Sequence, residues 1–156
     1  MKLTFKQKFF SFTDTYKVRD EDGNVVFTAK RHFFFRRRIK IFDKDGNQVG
    51  AVKAKFWAWF PTFKIYVNGE HIGKVKKKFS FFKPKFAMDC KDWKIKGGFF
   101  EKNYQIVNSE GPVAKVSQKW LSLTTTYVME VDKFEDALPV LMVILAIATE
   151  KANRNN

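Results

Sequence analysis

Ala137-Leu138-Pro139-Val140-Leu141-Met142-Val143-Ile144-Leu145-Ala146-Ile147-Ala148-Thr149 decides the fold. The run is apolar on every side, with no polar stripe at helical or strand spacing, so no face of it meets water favourably. Glu135 and Asp136 fence it on one side, Glu150 and Lys151 on the other. A bilayer-spanning helix needs about 20 such residues, and 13 fall short. As a helix the run extends roughly 20 Å, at about 1.5 Å per residue. The rest of the chain therefore has to build a sleeve of about that depth. The helix is placed at residues 134 to 152, with a frayed tail to Asn156. Its start has two readings: a capping box of Asp132 with Glu135, or a cap at Asp136 with Pro139 in the first turn, where a missing N–H is harmless. The second is preferred, because a deeper proline would kink the helix.

Upstream of this run a unit recurs six times. It opens on an aromatic preceded by a basic or small residue, at Lys8-Phe9, His32-Phe33, Lys55-Phe56, Lys78-Phe79, Gly98-Phe99 and Lys119-Trp120. Each opening leads into an alternating strand, a turn and a short apolar return. Asp45-Gly46 and Asn68-Gly69 read as two-residue hairpin turns, since both pairs tolerate the positive φ that a type I′ turn requires. Asp22-Gly23-Asn24 and Glu110-Gly111-Pro112 mark two more turns, whereas the fourth unit, around Asp89 to Asp92, has no glycine. The sixth unit has a strand at Thr124 to Val131 and then the apolar run in place of a return strand. In the return strands apolar residues fall three apart: Val26 and Ala29, Val49 and Val52, Ile72 and Val75, Val113 and Val116. That spacing breaks strict alternation and predicts a β-bulge or strong local twist in each.

Eleven or twelve antiparallel strands followed by one wholly apolar helix have an economical solution. The sheet closes into a barrel, which removes its edges. A ring of that size is too wide for its own side chains to fill, so the helix occupies the lumen. The expected fold class is mostly β: a closed antiparallel barrel of eleven or twelve strands, one domain over residues 1–156, strands from about residue 3 to 131. The chain length suits one domain with a substantial core.

The sixfold pattern, the Lys-Phe openings (notably Lys77-Lys78-Phe79-Ser80-Phe81-Phe82-Lys83-Pro84-Lys85-Phe86), Asn68-Gly69-Glu70, Lys119-Trp120 and the terminal apolar helix resemble the LURP-one-related family. The resemblance covers essentially the whole chain. It implies the fold of the tubby C-terminal domain and of phospholipid scramblases, a twelve-stranded barrel around a central hydrophobic helix. Tubby-like domains bind phosphoinositides and scramblases act at membranes, but a shared fold does not confer a shared site.

The net charge is +14, and it is uneven: residues 1–100 carry 24 Lys and Arg against 9 Asp and Glu, residues 101–156 carry 6 against 7. So strong a field favours an anionic partner. Cys90 is the only cysteine, which excludes an intrachain disulfide and a structural zinc cluster. The start of the chain lacks the apolar stretch of a secretory signal, so a cytoplasmic protein, peripheral at a membrane, is expected. His32 and His71 sit near no nucleophile in sequence, and no triad, catalytic zinc site or cofactor is suggested. Asp43-Lys44-Asp45-Gly46-Asn47 has its glycine fourth and Ala54 twelfth, which does not fit a calcium loop. A non-enzyme is the expectation.

Arg36, Arg38 and Lys40 share one strand face, opposite Ile39 and Ile41, while Lys53 and Lys55 flank Ala54 on the return strand. With a turn at Asp45-Gly46, Arg38 lies opposite Lys53 and Arg36 opposite Lys55. Like charges opposed across a ladder are destabilising. Lys74, Lys76, Lys77 and Lys78, with Lys83 and Lys85 beyond, form a second cluster. The candidate anion- and lipid-binding residues are Arg36, Arg38, Lys40, Lys53, Lys55, Lys74, Lys76, Lys78 and Lys83. A plain solvated barrel wall is the competing explanation.

Up-and-down topology puts hairpin turns at one rim and the connections between hairpins at the other. The turn rim collects Asp20, Glu21, Asp22, Asp43, Asp45, Glu70 and Glu110. The connection rim collects cations together with many aromatics, among them Trp57, Trp59, Phe60, Phe81, Phe82 and Trp120. The first five of these are the candidate membrane-facing aromatics, since aromatic rings beside cations suit a bilayer interface. Inward folding of those rings to seal the barrel end is the alternative. The leading partner is anionic phospholipid. Nucleic acid, held by the same cations and stacking rings, ranks second, and a protein-interaction scaffold third. Active lipid scrambling is not expected of a helix too short to span.

Overall fold

The computed structural model describes residues 1–8, 13–32, 38–55, 61–78, 85–97 and 102–154. They form twelve strands: β1 (Lys2–Lys8), β2 (Thr13–Arg19), β3 (Val25–His32), β4 (Arg38–Asp43), β5 (Gln48–Lys55), β6 (Thr62–Val67), β7 (Glu70–Lys78), β8 (Lys85–Cys90), β9 (Lys94–Lys96), β10 (Asn103–Asn108), β11 (Gly111–Leu121) and β12 (Thr124–Val131). A 3-10 turn, Phe134–Asp136, leads into one helix, α1 (Ala137–Arg154).

Every ladder is antiparallel and joins strands adjacent in sequence, except that β12 pairs with β1 from Lys2↔Glu130 to Lys8↔Thr124. The N-terminal strand thus stands where the sixth unit lacks a return strand. Phe5 on β1 stacks on Tyr127 of β12, with centroids 4.9 Å apart and planes 11° apart, so the join is packed as well as hydrogen-bonded. The barrel is nearly closed rather than closed. Among the described residues no ladder joins β8 to β9, the two ends of the sheet order. The turn between them has no glycine, Lys91 takes φ 54°, and β9 is three residues long.

The four return strands bulge where apolar spacing of three predicts it. The ladders skip Val26 on β3, Val49 on β5, Ile72 on β7 and Val113 on β11. Each bulge adds twist, which the sheet needs to curl on itself. Asn68-Gly69 forms the expected two-residue turn, with φ 48° and 83°. The Asp45-Gly46 turn differs from expectation. Asp43 N–H donates to the Asn47 carbonyl, Gly46 N–H donates to the Asp43 carbonyl, and Gly46 has φ 85°, a three-residue loop. The Asp43 carboxylate accepts from the N–H groups of Asp45 and Asn47, and Asp20 does the same for Asp22 and Asn24. The extra loop residue and the bulge at Val49 cancel, so the expected pairing Arg38↔Lys53 survives.

Helix α1 is buried from Val140 through Glu150, and Ala137 and Pro139 are buried too. It packs against β5, β6, β7 and β12 and forms the axis of one continuous core with the inward residues of the strands. The 3-10 turn takes the first three residues of the expected span, and the helix proper starts at Ala137, with Pro139 in its first turn. No side-chain capping bond forms at that turn, so the Asp132 capping box is absent. Asp136 precedes the helix, and its carboxylate pairs with Lys91 at 2.6 Å in place of the expected cap. At the far end the buried Glu150 carboxylate meets the Lys77 ammonium at 2.7 Å. Removing either partner would strand the other charge, at a cost of about 3–5 kcal/mol.

Candidate functional site

Pleating turns Ile39, Ile41, Val52, Phe63, Ile65 and Val75 into the core, so the residues between them point outward. Register then aligns cations across four adjacent strands: Arg38 on β4, Lys53 on β5, Lys64 on β6 and Lys74 on β7 are successive cross-strand partners. At about 4.8 Å per strand the four span only about 15 Å. The row ends on Asp89 of β8, whose carboxylate lies 3.9 Å from the Lys74 ammonium. Among the described residues no ion pair engages Arg38, Lys40, Lys53, Lys55 or Lys64.

The next rung toward the connection rim aligns Lys55, Thr62 and Lys76. A hydrogen bond from Lys64, together with its charge, holds the Lys55 amine below the ordinary lysine range. The rung on the other side aligns Lys30, Lys40, Ala51, Tyr66 and His71. The small Ala51 leaves a depression of about 280 Å³ lined by Arg38, Lys40, Lys53, Ala51 and Tyr66. The Lys53 ammonium sits 4.2 Å from the Tyr66 ring centroid, which holds it over the depression.

The structure thus merges the two cation clusters of the sequence into one face, and Lys64 is the residue that joins them. Lys64 stands alone between Phe63 and Ile65 and belongs to no charge run. The register set by Asn68-Gly69 and the bulge at Ile72 brings it opposite Lys74, and the separate β5–β6 ladder brings it opposite Lys53. Lys77, grouped by sequence with its lysine neighbours, faces inward and is committed to Glu150. Lys78 is exposed at the connection end of β7. Arg36, Lys83 and the aromatics Trp57, Trp59, Phe60, Phe81 and Phe82 lie outside the described residues.

The rims follow the topology. The turns at Asp20–Asn24, Asp43–Asn47, Asn68-Gly69 and Ser109-Glu110 share the end of the barrel where α1 begins. The opposite end carries Lys8, Lys55 and Lys78, together with the β11–β12 tip, where Trp120 is 63% exposed. The His71 ring packs 5.3 Å from that of Tyr66. No group of three or more metal-ligating side chains occurs among the described residues, and none of the helices there is long and apolar enough to cross a membrane.

An up-and-down barrel of twelve strands, threaded by an apolar C-terminal helix and carrying a basic outer face, defines the class. The LURP-one-related family model matches residues 1–150, and the chain belongs to that family. It is 30% identical over 139 residues to the uncharacterized protein YxjI of Bacillus subtilis (strain 168), covering 88% of this chain and 86% of that one. The X-ray structure of a protein from Arabidopsis thaliana superposes with a TM-score of 0.58 at 16% identity, covering 97% of this chain and 91% of that one. At that identity the likeness concerns the fold alone.

Proposed function

We propose that this protein is a non-enzymatic cytoplasmic module that docks on anionic phospholipid headgroups through the basic face of β4–β7. The observation that carries the reading is the row Arg38, Lys53, Lys64, Lys74, four like charges opposed across consecutive ladders with one carboxylate at its end. Selection for stability alone disfavours such a row, whereas an anionic surface is attracted by about 1 kcal/mol per nearby cation. Lys40, Lys55, Lys76 and Lys78 extend the face, and the depression over Ala51 offers a recess with room for a phosphate group between Arg38, Lys40 and Lys53. Arg36 and Lys83 join the proposal through their places in the sequence, as do Trp57, Trp59, Phe60, Phe81 and Phe82 as interfacial rings.

Vesicle flotation tests this. At about 0.1 M salt, where screening sets in within about 10 Å, the protein should float with vesicles containing phosphatidylserine and stay down with pure phosphatidylcholine. Lys53→Gln/Lys64→Gln/Lys74→Gln should partition about a hundredfold less, at about 1 kcal/mol per lost cation. Equal binding to both vesicle types, or an unaffected triple variant, sinks the reading. Capture of labelled single-stranded DNA without vesicle binding would favour a nucleic-acid partner instead.

A further inference from the structure

The end of the β11–β12 hairpin does not fit a solvated loop. Leu121 pairs with Thr124, so Ser122 and Leu123 make the whole turn, and Ser122 takes φ 43°. Trp120, Leu121 and Leu123 are 63%, 50% and 64% exposed. None belongs to the core or packs against it. Water gains nothing from three large apolar groups gathered on one tight turn.

Their surroundings are cationic. Lys6 and Lys119 both pair with Thr126, and Lys8 pairs with Thr124, so three lysines ring the base of the tip. From Gly111 to Met129 the hairpin carries no acidic residue. The tip also lies on the connection rim, away from the acidic turns.

We propose that this tip is a membrane-penetrating anchor: Trp120, Leu121 and Leu123 enter the interfacial layer of an anionic bilayer while Lys6, Lys8 and Lys119 meet its headgroups. The proposal rests on the lipid-docking reading and deepens it. In the ring order β11 and β12 lie across the barrel from β5 and β6. The anchor and the basic face therefore approach one membrane only when the connection rim points toward it and the acidic rim points away. A protein partner fits the tip less well. Three side chains fall far short of the roughly 800 Å² per partner of a standard interface, and a second copy would bring the same lysines against these.

An environment-sensitive fluorophore on Ser122→Cys, with Asp22→Cys at the opposite rim as control, reads insertion directly, because Cys90 is buried. With phosphatidylserine-containing vesicles, emission at position 122 should shift to the blue and rise several-fold, while position 22 stays unchanged. Trp120→Ser/Leu121→Ser/Leu123→Ser should float about a hundredfold less, the loss expected for removing three partly buried apolar groups. If the protein floats while emission at position 122 remains that of buffer, the anchor is refuted and lipid docking stands. If the protein does not float at all, both fall. A dimer in sedimentation that the triple serine variant converts to monomer would make the tip a protein contact and overturn the anchor.

Discussion

Ile144→Asp should yield no folded protein. Ile144 is fully buried in the middle of a helix that is itself enclosed by the barrel. The substitution forfeits about 1.5–3 kcal/mol of apolar burial and places a carboxyl where no partner can reach it, at several kcal/mol more. A domain of ordinary stability has only about 5–15 kcal/mol in total. Cys90 supplies the readout. It is 1% exposed, and burial pushes its thiol above the ordinary range, so the folded chain should resist a thiol reagent such as Ellman's and the variant should react at the rate of an unfolded peptide. Ile144→Val, a loss of about 1 kcal/mol, should stay protected. A membrane anchor altered at the same position would leave a folded, protected barrel.

Gly73→Ala should also cost heavily, with the loss confined at first to one hairpin. A Cβ at Gly73 would lie 2.6 Å from the Cα and Cβ of Cys90 and closer still to the Asp89 carbonyl oxygen. Backbone cannot retreat as a flexible side-chain tip would, so β8 has to leave β7. Overpacking costs about 1–3 kcal/mol where side chains can shift, and backbone neighbours put this case at the upper end. Because the crowded atoms belong to Cys90 and its neighbour, thiol reactivity should rise well before the global melt, and the two probes should separate. Gly50→Ala is the milder comparison, since its Cβ meets the Met142 sulfur at 3.0 Å and the Leu138 methyl at 3.3 Å, both of them mobile.

The sequence carried the architecture because its signals are local. An apolar run without a polar stripe announces an enclosed helix, and the spacing of Val26, Val49, Ile72 and Val113 announces bulges before any pairing is known. What stayed hidden depends on partners distant in the chain. The role of β1 rests on β12, more than a hundred residues away. The inward turn of Lys77 rests on Glu150, 73 residues away. The site followed the same division. Arg38 opposite Lys53 could be counted from one turn, with two errors of one residue cancelling. Lys64 required three strands in register at once. The tip at Trp120 was visible as an aromatic beside a lysine, but its exposure depends on the two-residue turn that holds Leu121 and Leu123 away from the core.

Thermal melting of the wild type and of Lys64→Gln, each with and without phosphatidylserine-containing vesicles, tests the central claim that the cation row serves a ligand and not the fold. Lys64 faces like charges on both neighbouring strands and depresses the Lys55 amine, so neutralising it should relieve a few tenths of a kcal/mol. The variant should melt higher than the wild type in buffer and gain less from the vesicles. A variant that melts lower in buffer and gains as much as the wild type from the vesicles would contradict the account.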